Sequence, residues 1–263
     1  MKKVLTIAGS DSGAGAGIQA DLKTFAAFGV YGTSAITAIT AQNTQEITAI
    51  LALPADLVAK QIDAVMTDIG ADVWKTGMLV NSAIINTVSE RAKYYKIKSL
   101  VVDPVMVAKT GTSLFSPETI KILIRKLIPL AKVITPNCYE AEIITGQSIN
   151  SIEDMKKAAT IIYKMGAKNI LIKGGHLNKS FKAIDIIYNG KQFNQVISER
   201  INTQNTHGTG CTYASAIAAG LAKGNRVLPA IKKAKEYLYL AIKEAAKLHI
   251  GHGFGPLNHF YKR

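Results

Sequence analysis

Short apolar runs alternate with longer segments of helical period along most of the chain. Residues 4–8 (Val-Leu-Thr-Ile-Ala) read as a buried strand, and 18–28 carry helical spacing at Ile18, Leu22, Phe25 and Ala26. Residues 33–40 are β-branched and apolar, which predicts a second strand. Pro54 stands where a first helical turn begins, with Leu57, Val58, Ile62, Val65 and Met66 supplying one face. Three further strands are predicted over 100–102, 133–134 and 170–172. They run into Asp103-Pro104, Thr135-Pro136 and Lys173-Gly174-Gly175. Residues 184–188 and 192–197 flank Asn189-Gly190 and predict a β-hairpin. Helices at about 211–222 and 228–248 close the pattern. Strands alternating with helices imply a mostly parallel central sheet covered on both faces. No Ser/Pro-rich linker, low-complexity tract or internal repeat divides the chain, so 1–263 is expected to be a single domain.

Composition narrows the class. At 263 residues and 48% hydrophobic content, a large core is available, and disordered, collagen-like or fibrous chains are excluded. Two cysteines far apart, Cys138 and Cys211, rule out a disulfide scaffold and a cysteine-based zinc site. Lys and Arg outnumber Asp and Glu by 32 to 18, a net charge of +14 that raises the question of a polyanionic partner. The lysines are scattered, however. Even the densest group, Lys232-Lys233 with Lys235, lacks interleaved stacking aromatics, so nucleic-acid binding is not expected. Lys2-Lys3 precedes an apolar run too short for a signal peptide, and no stretch has the length of a membrane helix. A soluble, cytoplasmic protein with no membrane partner is the expectation.

Three constellations carry candidate chemistry. The Gly-rich turn over 8–18 lies between a strand and a helix, where backbone N–H groups can meet an anion or polar ligand. A dinucleotide fold would want an acidic residue after the second strand, and Thr37, Ile39 and Thr40 stand there instead. On glycine spacing alone, a tight packing turn is an equal reading. The second constellation, Asn205-Thr206-His207-Gly208-Thr209-Gly210-Cys211-Thr212, sits directly before a helix and suits a phosphate at its positive end. Cys211 there is expected to have a lowered pKa, as a base or reactive thiol; a buried, inert cysteine is the alternative. The third comprises Asp103, Asn137 with Glu140, and Lys173, all at predicted strand ends, where open α/β sheets bind ligands. Carboxylates there suit hydrated magnesium, although each residue taken singly reads as a helix cap or turn residue.

The motifs then form a recognisable series. Ala-Gly-Ser-Asp-Ser (8–12), Ala-Gly-Ile-Gln-Ala-Asp-Leu-Lys-Thr-Phe (16–25), Ala-Gln-Asn-Thr (41–44) and Lys-Thr-Gly-Met-Leu (75–79) come first. Val-Asp-Pro-Val-Met-Val-Ala-Lys-Thr-Gly (102–111), Thr-Pro-Asn (135–137) with Glu140, Lys-Gly-Gly-His (173–176), Thr-His-Gly-Thr-Gly-Cys-Thr (206–212) and the Gly-rich 251–260 follow. Almost end to end, the chain resembles the hydroxymethylpyrimidine/phosphomethylpyrimidine kinases of thiamine biosynthesis, in the ribokinase-like superfamily.

That resemblance implies a three-layer α/β/α sandwich and an ATP- and Mg²⁺-dependent kinase. Its product sequence would be the pyrimidine monophosphate and then the diphosphate. It implies that Asp21 and Gln42 hold the aminopyrimidine, with Gly9, Met78 and Val105 around the ring. Asp103 and Glu140 would lie near the nucleotide phosphates and hold Mg²⁺ through water, with Asn137 in the same turn. Lys173 and Lys235 would sit near the nucleotide, and Gly208, Thr209, Gly210 and Cys211 would form the anion hole, with Cys211 as base and Lys173 assisting catalysis. It also implies a homodimer. Ala14, the Cys138-Tyr139 pair and Trp74 depart from the family pattern. A pyridoxal kinase of the same family and a non-catalytic ligand-binding protein are the rival readings.

Overall fold

In the computed structural model, residues 1–106, 115–175, 177 and 181–261 are described. The end of the 102–111 motif, from 107 onward, and His176 lie outside them. The chain begins with β1 (Lys3–Asp11), α1 (Gly17–Ala27), β2 (Tyr31–Gln42), β3 (Ile47–Ala52), α2 (Ala55–Asp68), β4 (Val73–Thr76) and α3 (Ser82–Tyr94). It continues with β5 (Leu100–Val102), α4 (Pro117–Ile122), β6 (Val133–Ile134), α5 (Cys138–Thr145), α6 (Ile152–Lys164) and β7 (Ile170–Ile172). The hairpin β8 (Lys182–Tyr188) and β9 (Phe193–Glu199) precedes α7 (Thr209–Ala222) and α8 (Val227–Ala245).

The strands form one sheet in the order β3-β2-β1-β4-β5-β6-β7-β8-β9. The five pairings from β2 to β7 are parallel, while β3 and the β8–β9 hairpin add antiparallel edges. Alternation along each strand divides the apolar residues between two cores. Leu5 and Ile7 face a core built with α2, α3, α5 and α6; Val4 faces one built with α1, α7 and α8. The result is the three-layer, ribokinase-like α/β arrangement that the motifs imply. In α7, Thr212 to Ala222 are all buried, so this helix is apolar on every side because it is packed on every side. It lies against α1, α8 and the central strands, and whatever its first turn holds is rigidly placed.

Several boundaries differ from the sequence expectation. The last two helices begin at Thr209 and Val227, the first of which brings Thr209 and Gly210 into a helical turn. Pro54 caps α2 from outside it, and Leu57 points to solvent. β3 is unpredicted because only its pairing to β2 makes it a strand; its residues are mostly exposed. Of the departures from the family pattern, Trp74 is fully buried in the sheet and its Nε1–H donates to Met66 Sδ. Cys138 is the first residue of α5, where burial pushes its thiol up to about 12. Ala14 has φ of +58°, a left-handed conformation that favours glycine.

The C-terminal segment straps back over the site-bearing loops. Phe254 N–H donates to Thr44 O, His207 N–H donates to Gly255 O, and His259 Nε2 lies 2.9 Å from Thr212 Oγ1. Burial, chiefly, pulls the His259 pKa down to about 4. The unfolded chain, with an ordinary imidazole near 6.5, therefore takes up this proton first as pH falls. Stability from this group is full above about pH 6.5 and declines toward pH 4, by roughly 3 kcal/mol at most. His259→Gln should accordingly show a flatter dependence of Tm on pH between 6.5 and 4.5 than the parent; equal slopes would remove His259 from the acid response.

Candidate active site

A cavity of about 1100 Å³ opens at the carboxyl ends of the parallel strands. Its first wall is the loop after β1. Asp11, at the strand end, accepts N–H bonds from Gly13 (2.8 Å), Gly15 (3.0 Å) and Ala16 (2.8 Å), and its Oδ2 lies 2.8 Å from His207 Nε2. Burial alone would raise the Asp11 pKa, but the His207 bond and the backbone donors hold it below the usual carboxylate value. The loop before α7 presses directly on this one. Gly208 has φ of +83°, and a Cβ there would stand 1.8 Å from Gly15 O. The packing-turn reading of the first loop is therefore realised: Gly15, where a Cβ would run into the His207 ring, and Gly208 let the two loops touch.

Gln42, Gly9, Met78 and Val105 line the cavity together, next to the 208–211 loop. Gln42 Oε1 lies 3.2 Å from Thr40 Oγ1, and Gln42 Nε2 lies 3.1 Å from His207 Nε2, the ring nitrogen that also faces Asp11. Asp21 is not among them. It is wholly buried beneath the cavity and accepts from Thr6 Oγ1 (2.6 Å), Ser215 Oγ (2.6 Å) and Lys75 Nζ (2.9 Å to each oxygen). With every acceptor position in use inside the protein, it has no face toward a ring ligand, which corrects the role the resemblance implied. The cause is its place on the inward face of α1, opposite a lysine on β4.

Farther along, Asp103, Glu140 and Lys173 meet. Lys173 Nζ lies 2.9 Å from Asp103 Oδ1 and 3.9 Å from Glu140 Oε2. Burial would lower the Lys173 pKa, but the charges of Asp103 and Glu140 raise it above the ordinary value. Burial pushes Glu140 up to about 7; Lys173 opposes that shift and Asp103 adds to it. Asn137 caps α5, its Oδ1 accepting from Glu140 N–H while Glu140 Oε2 accepts from Asn137 N–H, 2.8 Å each. The capping reading and the ligand-site reading thus fall on the same two residues. A Cβ on Gly210 would lie 3.4 Å from Lys173 Nζ and 3.5 Å from Asp103 Oδ2, so this cluster borders the loop.

Cys211, in the first turn of α7, lines the cavity. Its thiol is not lowered. Burial pushes it up to about 11, with Lys75 favouring the thiolate and Asp21 and Asp103 opposing it. The helix terminus and the Gly17 N–H aimed at the sulfur do not offset the loss of water. Lys235 also reaches the cavity, paired at 2.7 Å with Asp185 and 5.7 Å from the Tyr213 ring centre. Asp11, Asp185 and His207 line the cavity and Lys75 is wholly buried; sequence reasoning gave none of the four a role, although Asp11, His207 and Lys75 stand in the quoted motifs. Their signals were a carboxylate and a lysine inside apolar strands, and a histidine inside a glycine loop.

The family model described as phosphomethylpyrimidine kinase matches residues 11–258. The chain is 48% identical over 98% of its length to the hydroxymethylpyrimidine/phosphomethylpyrimidine kinase of Rhizobium meliloti, covering 97% of that protein. It is 49% identical over 97% of its length to the thiamine biosynthesis bifunctional protein ThiED of Geobacter sulfurreducens, and spans about half of that longer protein (52%). Among solved structures, an ADP complex of Bacillus subtilis pyridoxal kinase superposes with a TM-score of 0.93 at 41% identity, covering 100% of this chain and 99% of that one. The matched span holds Asp11, Gln42, Asp103, Glu140, Lys173 and Cys211, all of which line the cavity. The motif series and the fold lead to one conclusion: the chain belongs to the phosphomethylpyrimidine kinase family and is a phosphotransferase.

Proposed function

We propose that the protein transfers the γ-phosphoryl group of ATP to the hydroxymethyl oxygen of 4-amino-5-hydroxymethyl-2-methylpyrimidine, and then phosphorylates that monophosphate to the diphosphate. The observation that carries this reading is one cavity lined by Gln42, the 208–211 loop and the Asp103–Glu140–Lys173 cluster together. The names of the near full-length relatives support the pyrimidine and both steps. The ADP complex of the structural neighbour supports the nucleotide.

Each part of the cavity has a physical task. The Gln42 carboxamide both donates and accepts, which suits a ring nitrogen beside an exocyclic amine. The N–H groups and dipole at the start of α7 suit the charge that develops on a transferring phosphoryl group. The Lys173 ammonium, bordering Gly210, adds positive charge at the same place. Cys211 Sγ, as thiolate, would accept the hydroxymethyl proton as that oxygen attacks; as thiol, it leaves the work to positioning and charge. Lys235 and Asp185 would stand at the nucleotide end.

The donor set also fits Mg²⁺. Asp103 and Glu140 are hard oxygen ligands with one lysine between them, and burial leaves Glu140 short of stabilising charge. Among the described residues there is no group of three or more His, Cys, Asp or Glu that could hold a metal. Magnesium is suited to such a half-built site because it keeps waters and shares substrate phosphates. Held through water by Asp103 and Glu140, it would neutralise phosphate charge during transfer.

An ADP-release assay with the free pyrimidine and with its monophosphate tests both steps, and turnover of neither would sink the proposal. The high structural similarity to a pyridoxal kinase makes pyridoxine the control substrate; a greater kcat/KM for pyridoxine would favour that reading instead. Gln42→Ala should raise KM for the pyrimidine about tenfold or more, from two lost hydrogen bonds, while kcat stays within about threefold. An unchanged KM would remove Gln42 from the ring.

The protein is further proposed to be a cytoplasmic homodimer. No helix among the described residues is long and apolar enough to cross a membrane. Ile39 and Leu51 are cross-strand partners on β2 and β3, 49% and 65% exposed, an apolar pair at the sheet edge that suits a second copy of the chain. Leu51→Asp should shift the species measured by light scattering from dimer to monomer. A monomeric parent would overturn the assignment.

A further inference from the structure

Beneath the 208–211 loop lies a charged pair that the reaction as described leaves unused. Lys75 on β4 and Asp21 on α1 both have side chains with no exposure, 2.9 Å apart. Asp21 is fixed by Thr6 from β1 and by Ser215 from α7. Ser215 follows Cys211 by four residues, so the two share a face of the helix, one turn apart. Lys75 Nζ also approaches the chain at Gly77, where a Cβ would stand 3.0 Å away, just before the cavity residue Met78. The ammonium is thus held under the start of α7 by four elements of the fold.

Burying such a pair contributes little to stability compared with apolar side chains of the same shape, so packing alone does not account for it. Its surroundings supply another reason. Four charged groups act on the Cys211 sulfur: Lys75 from β4 and Lys173 from beyond β7 favour negative charge there, whereas Asp21 from α1 and Asp103 from beyond β5 oppose it. Each cation has its own partners, Lys173 with Asp103 and Glu140 and Lys75 with Asp21. Burial would pull the Lys75 pKa down, yet the Asp21 charge holds it above the ordinary value, so the ammonium stays charged.

We propose that Lys75, oriented by Asp21, is a positioning residue for phosphoryl transfer: fixed beneath the first turn of α7, its ammonium stabilises negative charge at Cys211 and the 208–211 loop without touching substrate. The inference rests on the reading of that loop as the reacting end of the cavity. Its test is therefore made first on the thiol, with no substrate present. In a Cys138→Ala background Cys211 is the sole cysteine, and its alkylation by iodoacetamide is followed against pH.

Lys75→Met should slow alkylation about tenfold at pH 8 for each unit by which the thiol pKa rises. It should also lower kcat by a similar factor, with KM for ATP within about twofold. Because that variant leaves Asp21 buried and unpaired, Lys75→Met/Asp21→Asn is made alongside it. There the lost Asp21 charge offsets part of the effect, and slowing of about threefold is expected. Slower alkylation with a matching fall in kcat supports the proposal. A folded variant that alkylates at the parental rate overturns it, as does slowed alkylation with parental kcat. A parent that turns over neither pyrimidine nor its phosphate would refute the proposed function separately, because the alkylation comparison needs no turnover.

Discussion

Cys211→Ala is expected to reduce kcat by about 10²–10⁴-fold, the usual span for loss of a positioned general base. KM for ATP should stay within about threefold, because the backbone N–H groups of the loop survive the substitution. Burial has raised the thiol to about 11. Near neutral pH only a small fraction is thiolate, and that fraction grows about tenfold for each pH unit. The parent's kcat should therefore climb with pH between about 7.5 and 9.5, while Cys211→Ala should be flat there. A steady-state pH-rate series on both proteins reads this directly. An unchanged kcat in the variant would leave positioning and charge to carry the reaction and remove proton transfer to sulfur.

The second large effect is expected at Lys173. Its ammonium separates two carboxylates whose side chains are 2% and 6% exposed, Asp103 and Glu140. Lys173→Met removes the cation and leaves both anions buried, a change of about 3–5 kcal/mol in other buried pairs. The loss depends on pH in a defined sense. Glu140 has a folded pKa of about 7, raised above the 4.5 of an ordinary glutamic acid, so its ionisation disfavours the folded state as pH rises across that interval. Without Lys173 the interval extends upward, and the deficit in Tm should be larger at pH 8 than at pH 5. Lys173→Met/Asp103→Asn should recover much of the stability and none of the activity. Thermal melts at the two pH values, with kcat for both variants, test this; equal Tm deficits would sink the electrostatic account.

Much of the central architecture could be read from the chain because parallel strands buried on both faces appear as plain apolar runs. Residues 4–8, 100–102, 133–134 and 170–172 all fall within strands of the sheet. The hairpin around Asn189-Gly190 was legible through its turn, where Asn189 Oδ1 accepts from Lys191 and Gln192 N–H. The edge strand β3 was not, because an exposed strand has no apolar alternation of its own. In the cavity, residues at strand ends were predictable from topology alone, and Asp103, Asn137, Glu140 and Lys173 do come together there. Asp21 was misplaced because a sequence motif records that a residue is needed, not whether it faces ligand or another side chain. The Cys211 pKa went the wrong way for a related reason: the helix terminus is visible in sequence, whereas the depth of burial is not.

The C-terminal strap bears on the order in which the protein becomes functional. Thr44 and Gly253 are joined by a hydrogen bond across 209 positions of chain. Contacts so distant in sequence form late, because the loop between them must already be ordered. The single tryptophan, Trp74, is buried against Met66 eight positions away and pairs in the sheet with Leu100 and, 69 positions away, Leu5, all nearer in the chain than Thr44 is to Gly253. During refolding, then, tryptophan burial will run ahead of the closing of the cavity wall. A chain can be folded by its fluorescence and still be unable to seat a substrate.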